Sequence, residues 1–328
     1  MACSIDGRWT YEGLRCVRLE NEHLAVEVLP ELGGKIYRLI DKARDLDVLW
    51  KSPRVRPHRA QLHANFDDHW SGGWDELFPC AASSPDRYGD LLPYGGELWT
   101  QECAWEVAEA DRDRVELVLT VTSPITPARF ERRLTVTAGD PILRIRYKLQ
   151  NVGCRPFDFN WGIHPVQAAV PGLRIDLPAG RVEVGNEWAG GALGKEGDVY
   201  QWPWLGERDL RQVLGPETDS YALHFVTELR AGWVAVTDPQ AERGFGLVFD
   251  KSVFSTLWLW LVYGGWRSYQ HLIVEPWTGY PSRLDEAVAA GRARVLDPGA
   301  TLETEVSAIL YSRVRTVSGL LADGSVVP

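Results

Sequence analysis

Residues 143–151 read LRIRYKLQN, with Leu143, Ile145, Tyr147 and Leu149 alternating against Arg144, Arg146, Lys148 and Gln150. A period of two puts the apolar set on one face of an extended strand and the charged set on the other. One dry face and one wet face is the habit of antiparallel sheets, since parallel strands are buried on both sides. The alternation recurs upstream. LAVEVLP places Leu24, Val26 and Val28 together, and VELVLTV does the same with Val115, Leu117, Leu119 and Val121. Turn-forming clusters punctuate these runs: AGDP at 138–141, NVG at 151–153 and DPQAERG at 238–244. ATLETEVSAILYS reads as a late strand. Helical signals are few. In SRLDEAVAAGRARVLDPG, Ser282 is placed to cap a short helix, Asp285 takes the capping-box position and Gly291 can end it. No fixed-period repeat, heptad, low-complexity tract or linker is present. The pattern predicts one all-β domain over residues 1–328, built of large antiparallel sheets with few short helices. It leaves long loops near 51–105 and 180–220, and loops beyond about 15 residues in a compact domain are usually functional.

Composition narrows the classes. The chain has 328 residues, 45% apolar and 24% charged, enough for a large core. A net charge of −10 argues against a nucleic-acid or anionic-membrane partner. No run approaches the roughly 18 apolar residues that span a bilayer. The opening MACSIDGRWTYEG has neither a basic n-region nor an apolar h-region, so no secretory signal is expected. Five scattered cysteines with no C-x-x-C fit reduced thiols better than disulfides or a zinc site. Together these predict a soluble cytoplasmic protein, and nothing in them fixes an oligomeric state. Fifteen tryptophans beside one methionine is an unusual ratio. Core packing is the plain account; the sharper one is that some form platforms for sugar rings.

Several chemistries lack their motifs. There is no phosphate-cradling P-loop, no G-x-G-x-x-G between strand and helix, no G-x-S-x-G elbow and no H-E-x-x-H. HANFDDHW gathers His63, Asp67, Asp68 and His69, ligand types that could hold a divalent ion. Their spacing matches no metal template, and a solvated loop with turn-forming aspartates is the simpler reading; neither metal nor cofactor is expected. SGGWDELFPC presents Trp74, Asp75 and Glu76 after a glycine pair, and LPYGGELWTQ repeats the flavour with Gly95, Gly96, Glu97 and Trp99. In FNWGIHPV, Pro165 lacks an N–H and suggests an edge, bulge or strand end, so His164 is either a core ring or a proton donor at a pocket mouth. In HLIVEPWTGYP, alternation places Glu275 on a face with His271 and Ile273. A glutamate in so apolar a strand is costly to bury unless it is paired or functional, and burial would raise its pKa.

The order of LAVEVLPELGGKIYRLID, GGWDELFP, GGELW, NWGIHPV, VEPWTGYP and LDPGATLETEVSAILY resembles the aldose 1-epimerase (galactose mutarotase) superfamily, from about residue 20 to 312. The resemblance implies a β-supersandwich and a sugar mutarotase. It implies His164 as general acid on the ring oxygen and Glu275 as base on the anomeric hydroxyl. His164 would then start protonated, helped by a nearby carboxylate. Trp74, Glu76, Trp161 and Trp277 are the expected sugar-contacting wall, and a small carbohydrate the expected partner. Two positions depart from the family pattern. Gly95 stands where many relatives carry a second histidine, and Ser71 where many carry an arginine, with Arg87 or Arg267 as substitute cations. A sugar-binding protein without catalysis, or lyase or hydrolase chemistry on the same pair, are the alternatives.

Overall fold

The computed structural model describes residues 2–185 and 191–328. Its contacts divide the chain into two compact units, Met1–His164 with Thr278–Glu305, and Pro165–Trp277 with Val306–Pro328.

In the first unit, strands Ser4–Tyr11, Leu14–Glu20, Leu24–Leu29 and Lys35–Asp41 run as an antiparallel meander, and Trp74–Leu77 joins its last member. A second meander comprises Ala104–Ala110, Arg114–Thr122, Ala128–Thr137 and Ile142–Asn151. The last of these shows the predicted alternation: Ile145, Tyr147 and Leu149 are buried while Arg146 and Lys148 are exposed. Leu24–Leu29 departs from it, being buried at every position. On the nominally wet face Glu27 pairs with Arg18 at 2.6 Å and with Arg38 at 3.6 Å, and Leu29 packs in a cluster with Leu14, Cys16, Leu32 and Tyr37.

The helix near 282–291 forms as Leu284–Ala289, with Gly291 at φ +67° just beyond it. Its capping differs from the expectation. Arg283 occupies the N-cap without a side-chain bond, and the Leu284 N–H instead donates to the Ser84 hydroxyl at 3.1 Å. A serine two hundred residues away in sequence takes the role expected of Ser282.

In the second unit, Arg181–Gly185, Ser220–Val226, Thr256–Tyr263 and Gln270–Trp277 form successive antiparallel neighbours. Arg174–Asp176, Trp233–Asp238 and Arg243–Phe249 make another set, extended by residues 306–312 of the late strand Thr301–Ser312. The indoles of Trp258 and Trp277 stack at 3.8 Å and 10°. Among the described residues the α-helices are Phe66–His69 and Leu284–Ala289, and no helix is long and apolar enough to cross a membrane. All five cysteines are free thiols.

Candidate active site

His164 is the third residue of strand Gly162–Ala168, not its end, and Pro165 continues that strand. Only 7% of the residue is exposed. Trp70 and Phe66 meet its ring edge-on at 5.4 Å and 6.0 Å, and its Nδ1 has no partner among the described residues. Removing an imidazole from water disfavours its charged form. Burial first, and the Lys35 charge second, push His164 down to about 3. The ring is therefore neutral at pH 7. The helpful carboxylate expected beside it is replaced by a cation.

That cation belongs to a recess in the first unit. Leu32, Lys35, His58, Phe66, His69, Trp70, Ser71 and Trp99 line a small recess of about 10 Å³, room for a water-sized group. Lys35 Nζ donates to Asp75 Oδ2 at 2.7 Å and to the Gly72 carbonyl at 2.9 Å, in a pair buried on both sides. Ser71 is buried beside them. The missing side chain at Gly95 has a structural counterpart. Gly95 sits at φ +80°, and a Cβ there would lie 2.7 Å from the Phe66 ring. Phe66 thus fills the volume a residue at 95 would need, and the same ring packs on His164 and on Trp99.

The HANFDDHW segment resolves into hydrogen-bonded pairs. His69 Nδ1 and His58 Nε2 are 2.7 Å apart, the Tyr94 hydroxyl donates to Asp67, and His63 is exposed at φ +68°. Among the described residues no three His, Cys, Asp or Glu side chains converge as a metal would need. Lys35, His58, Phe66 and Trp99 are the recess residues the sequence did not single out as a set. The signal available was the long 51–105 loop, which supplies most of them.

Trp74, Glu76 and Trp161 belong to the same unit and have almost no surface, at 0%, 3% and 0% exposed. Glu76 accepts from the Tyr147 hydroxyl and Trp161 Nε1 at 2.9 Å each, and from Arg132 at 3.2 Å. Arg132 spends its other arm on the Gly33 and Gly34 carbonyls. Burial raises the Glu76 pKa, and the Arg132 charge opposes the rise. These residues form a hydrogen-bonded frame that anchors the chain three residues before His164. An open wall for a ligand would need surface they lack.

In the second unit, Glu275 is 2% exposed on strand Gln270–Trp277. Trp277 Nε1 donates to its Oε2 at 2.9 Å, and Trp277 is itself fully buried against Trp258. Burial drives Glu275 up to about 8, with the indole N–H pulling the other way. At neutral pH it holds its proton. The two substitute cations are engaged: Arg87 pairs with Asp158, and Arg267 lies over the Trp266 ring at 5.0 Å. The structure joins Glu76 to Trp161 and Glu275 to Trp277; His164 and Glu275 belong to different units.

No protein-family model matches the chain, and no curated protein matches it in sequence. Solved structures do match. A galactose mutarotase-like protein from Clostridium acetobutylicum superposes with a TM-score of 0.64 at 12% identity, over 95% of this chain and 99% of that one. A galactose mutarotase related enzyme from Lactobacillus acidophilus gives 0.62 at 15% identity, over 91% and 98%. A TPR-domain containing protein from Parabacteroides distasonis gives 0.66 at 16% identity over 90% of this chain, which spans only 47% of that longer protein. Identities this low carry the fold and nothing finer. The chain has the galactose mutarotase-like β-supersandwich fold.

Proposed function

We propose that this chain is a mutarotase of the aldose 1-epimerase kind, interconverting the anomers of a free sugar in the cytoplasm through proton exchange with His164 and Glu275. One observation carries the reading: inside a mutarotase-like fold two titratable groups are buried, His164 with an unpartnered Nδ1 and Glu275 held by the Trp277 indole, and burial displaces them in opposite senses, Glu275 to about 8 and His164 to about 3. Between those values one group holds a proton and the other a lone pair, the complement that ring opening requires.

The same displacement reverses the roles the family resemblance implies. Burial disfavours the charged form of each group, so the resting pair is imidazole and carboxylic acid rather than imidazolium and carboxylate. Neutral His164 therefore takes the proton from O1 while Glu275 gives its proton to the ring oxygen, and the C1–O5 bond breaks. The aldehyde turns about C1–C2. His164 then returns a proton to O1 as O5 closes on the other face of C1, and the O5 proton goes back to Glu275. Protons and electrons balance within the pair, and the net reaction is an isomerisation. Trp277 is the positioning residue for the Glu275 carboxyl, and the Glu76–Trp161 frame holds the strand that carries His164.

The test is exchange NMR on a panel of anomerically pure aldoses. If wild type and a His164→Ala/Glu275→Ala double variant equilibrate every sugar at the uncatalysed rate, the enzyme reading fails. A second reading is a sugar-binding protein without turnover, favoured by the absence of a histidine at Gly95 and an arginine at Ser71. Calorimetry separates them, since binding without anomer exchange and insensitive to Glu275→Gln supports the second.

A further inference from the structure

The recess contains a polar arrangement that the His164–Glu275 chemistry does not use. His58 Nδ1 lies 2.8 Å from the Arg56 carbonyl, which can only accept, so His58 carries its proton on Nδ1. In the neutral ring its Nε2 is then an acceptor, and the nitrogen 2.7 Å away, His69 Nδ1, must donate to it. The chain of assignments ends at His69 Nε2, a lone pair on a half-buried ring that lines the recess. A backbone carbonyl thus fixes the tautomer of a histidine two links away, as an orienting carboxylate or carbonyl does for many functional histidines.

A second feature belongs to the same lining. Trp99 lines the recess beside His69, with ring centroids 6.3 Å apart, and is 7% exposed. Its Nε1–H is buried with no partner among the described residues. Buried donors are nearly always satisfied, so an orphan indole N–H in a recess lining marks where a ligand acceptor belongs. An acceptor at His69 and a donor at Trp99 together describe a group that both donates and accepts, which is a hydroxyl. The charged residue of the lining, Lys35, is already paired with Asp75. An anionic oxygen would meet the His69 lone pair as acceptor against acceptor.

We infer that His69 and Trp99 form a hydroxyl-recognising subsite, its polarity set by the Arg56–His58 relay, that selects neutral polyhydroxylated ligands over phosphorylated or carboxylated ones. The inference rests on the mutarotase reading for its substrate class, and its test is separable from it. Long-range ¹H–¹⁵N correlation spectra of the histidine-labelled full chain read the tautomers directly. Both His58 and His69 carry the proton on Nδ1, and His58→Phe releases His69 to the Nε2–H form. His69→Phe and Trp99→Phe each raise KM for the turned-over aldose roughly three- to tenfold, the worth of one hydrogen bond, with kcat within about twofold. One monodeoxy analogue is expected to show no difference between wild type and variants, and glucose 6-phosphate to bind more weakly than glucose. If wild type turns over no sugar, the same comparison is read as Kd by calorimetry. Loss of turnover with sugar binding retained sinks the mutarotase reading alone. An Nε2–H tautomer at His69, unchanged KM or Kd in both variants, or tighter binding of the phosphate overturns the subsite.

Discussion

Replacing Glu275 with glutamine removes one ionisable group and leaves its shape, so the pH dependence of stability reports its burial directly. Folded Glu275 titrates at about 8 against an ordinary value of 4.5. Below 4.5 both folded and unfolded chains hold the proton, and the group does not affect stability. As pH rises from 4.5 to about 8, the unfolded chain releases a proton that the folded one keeps, and the folded state loses ground. With 1.36 kcal/mol for each tenfold step, the loss is about 3 kcal/mol at pH 7 and saturates near 5 kcal/mol above pH 8. The assay is urea unfolding of wild type and Glu275→Gln at pH 5, 7 and 9, taking the difference so that every other titrating group cancels. The variant gains on wild type by about 2.5 kcal/mol between pH 5 and 7 and by a further 1–2 kcal/mol by pH 9. Parallel curves would mean that Glu275 is ionised in the folded protein at neutral pH, and the proton assignment would collapse.

The mirror case is His164, whose folded value of about 3 lies below its ordinary 6.5. Its contribution is complete above pH 6.5 and lost as pH falls toward 3, about 3 kcal/mol at pH 4, and His164→Gln abolishes that loss in acid unfolding curves. Catalysis with one proton on the pair is flat from about pH 4 to 7 and falls above about 8, checked by kcat/KM against pH. Lys35→Met strands the buried Asp75 carboxylate and lowers stability by roughly 3–5 kcal/mol, much of which returns in Lys35→Met/Asp75→Leu. Gly95→Ala forces a Cβ into the Phe66 ring at φ +80° and destabilises by about 2–4 kcal/mol; pairing it with Phe66→Ala gives less than the sum of the single losses.

The strand at 142–151 was legible because its alternation survives in the fold, where facing residues set the wet and dry sides. The strand at 24–29 was legible as a strand but not as a doubly buried one, because Glu27 is paired with Arg18 and Arg38 from neighbouring strands and Leu29 packs on Leu14, Cys16, Leu32 and Tyr37. Local sequence has no record of a cross-strand arginine. Ser282 failed as a cap for the same reason, since Ser84 supplies the bond from a distant segment. His164 and Glu275 were legible as buried candidates beside prolines and apolar neighbours. Their proton states were not, because those depend on Lys35 and on the extent of burial. Glu76 and Trp161 read as ligand-facing groups because an acid and an indole suit a sugar equally well. Only Arg132 and Tyr147, far along the chain, show that their polar atoms are engaged internally. The His58–His69 pair spans eleven residues of loop, and no periodicity predicts a contact of that kind.

The most direct test of the central claim is the rate of anomer exchange, measured by NMR at pH 7 on an aldose panel with wild type, His164→Gln and Glu275→Gln. Wild type is expected to accelerate exchange of at least one free sugar. Each single variant should lose about 10²-fold or more, because neither half of the proton pair works alone. Full exchange activity in either variant, with wild type active, would contradict it.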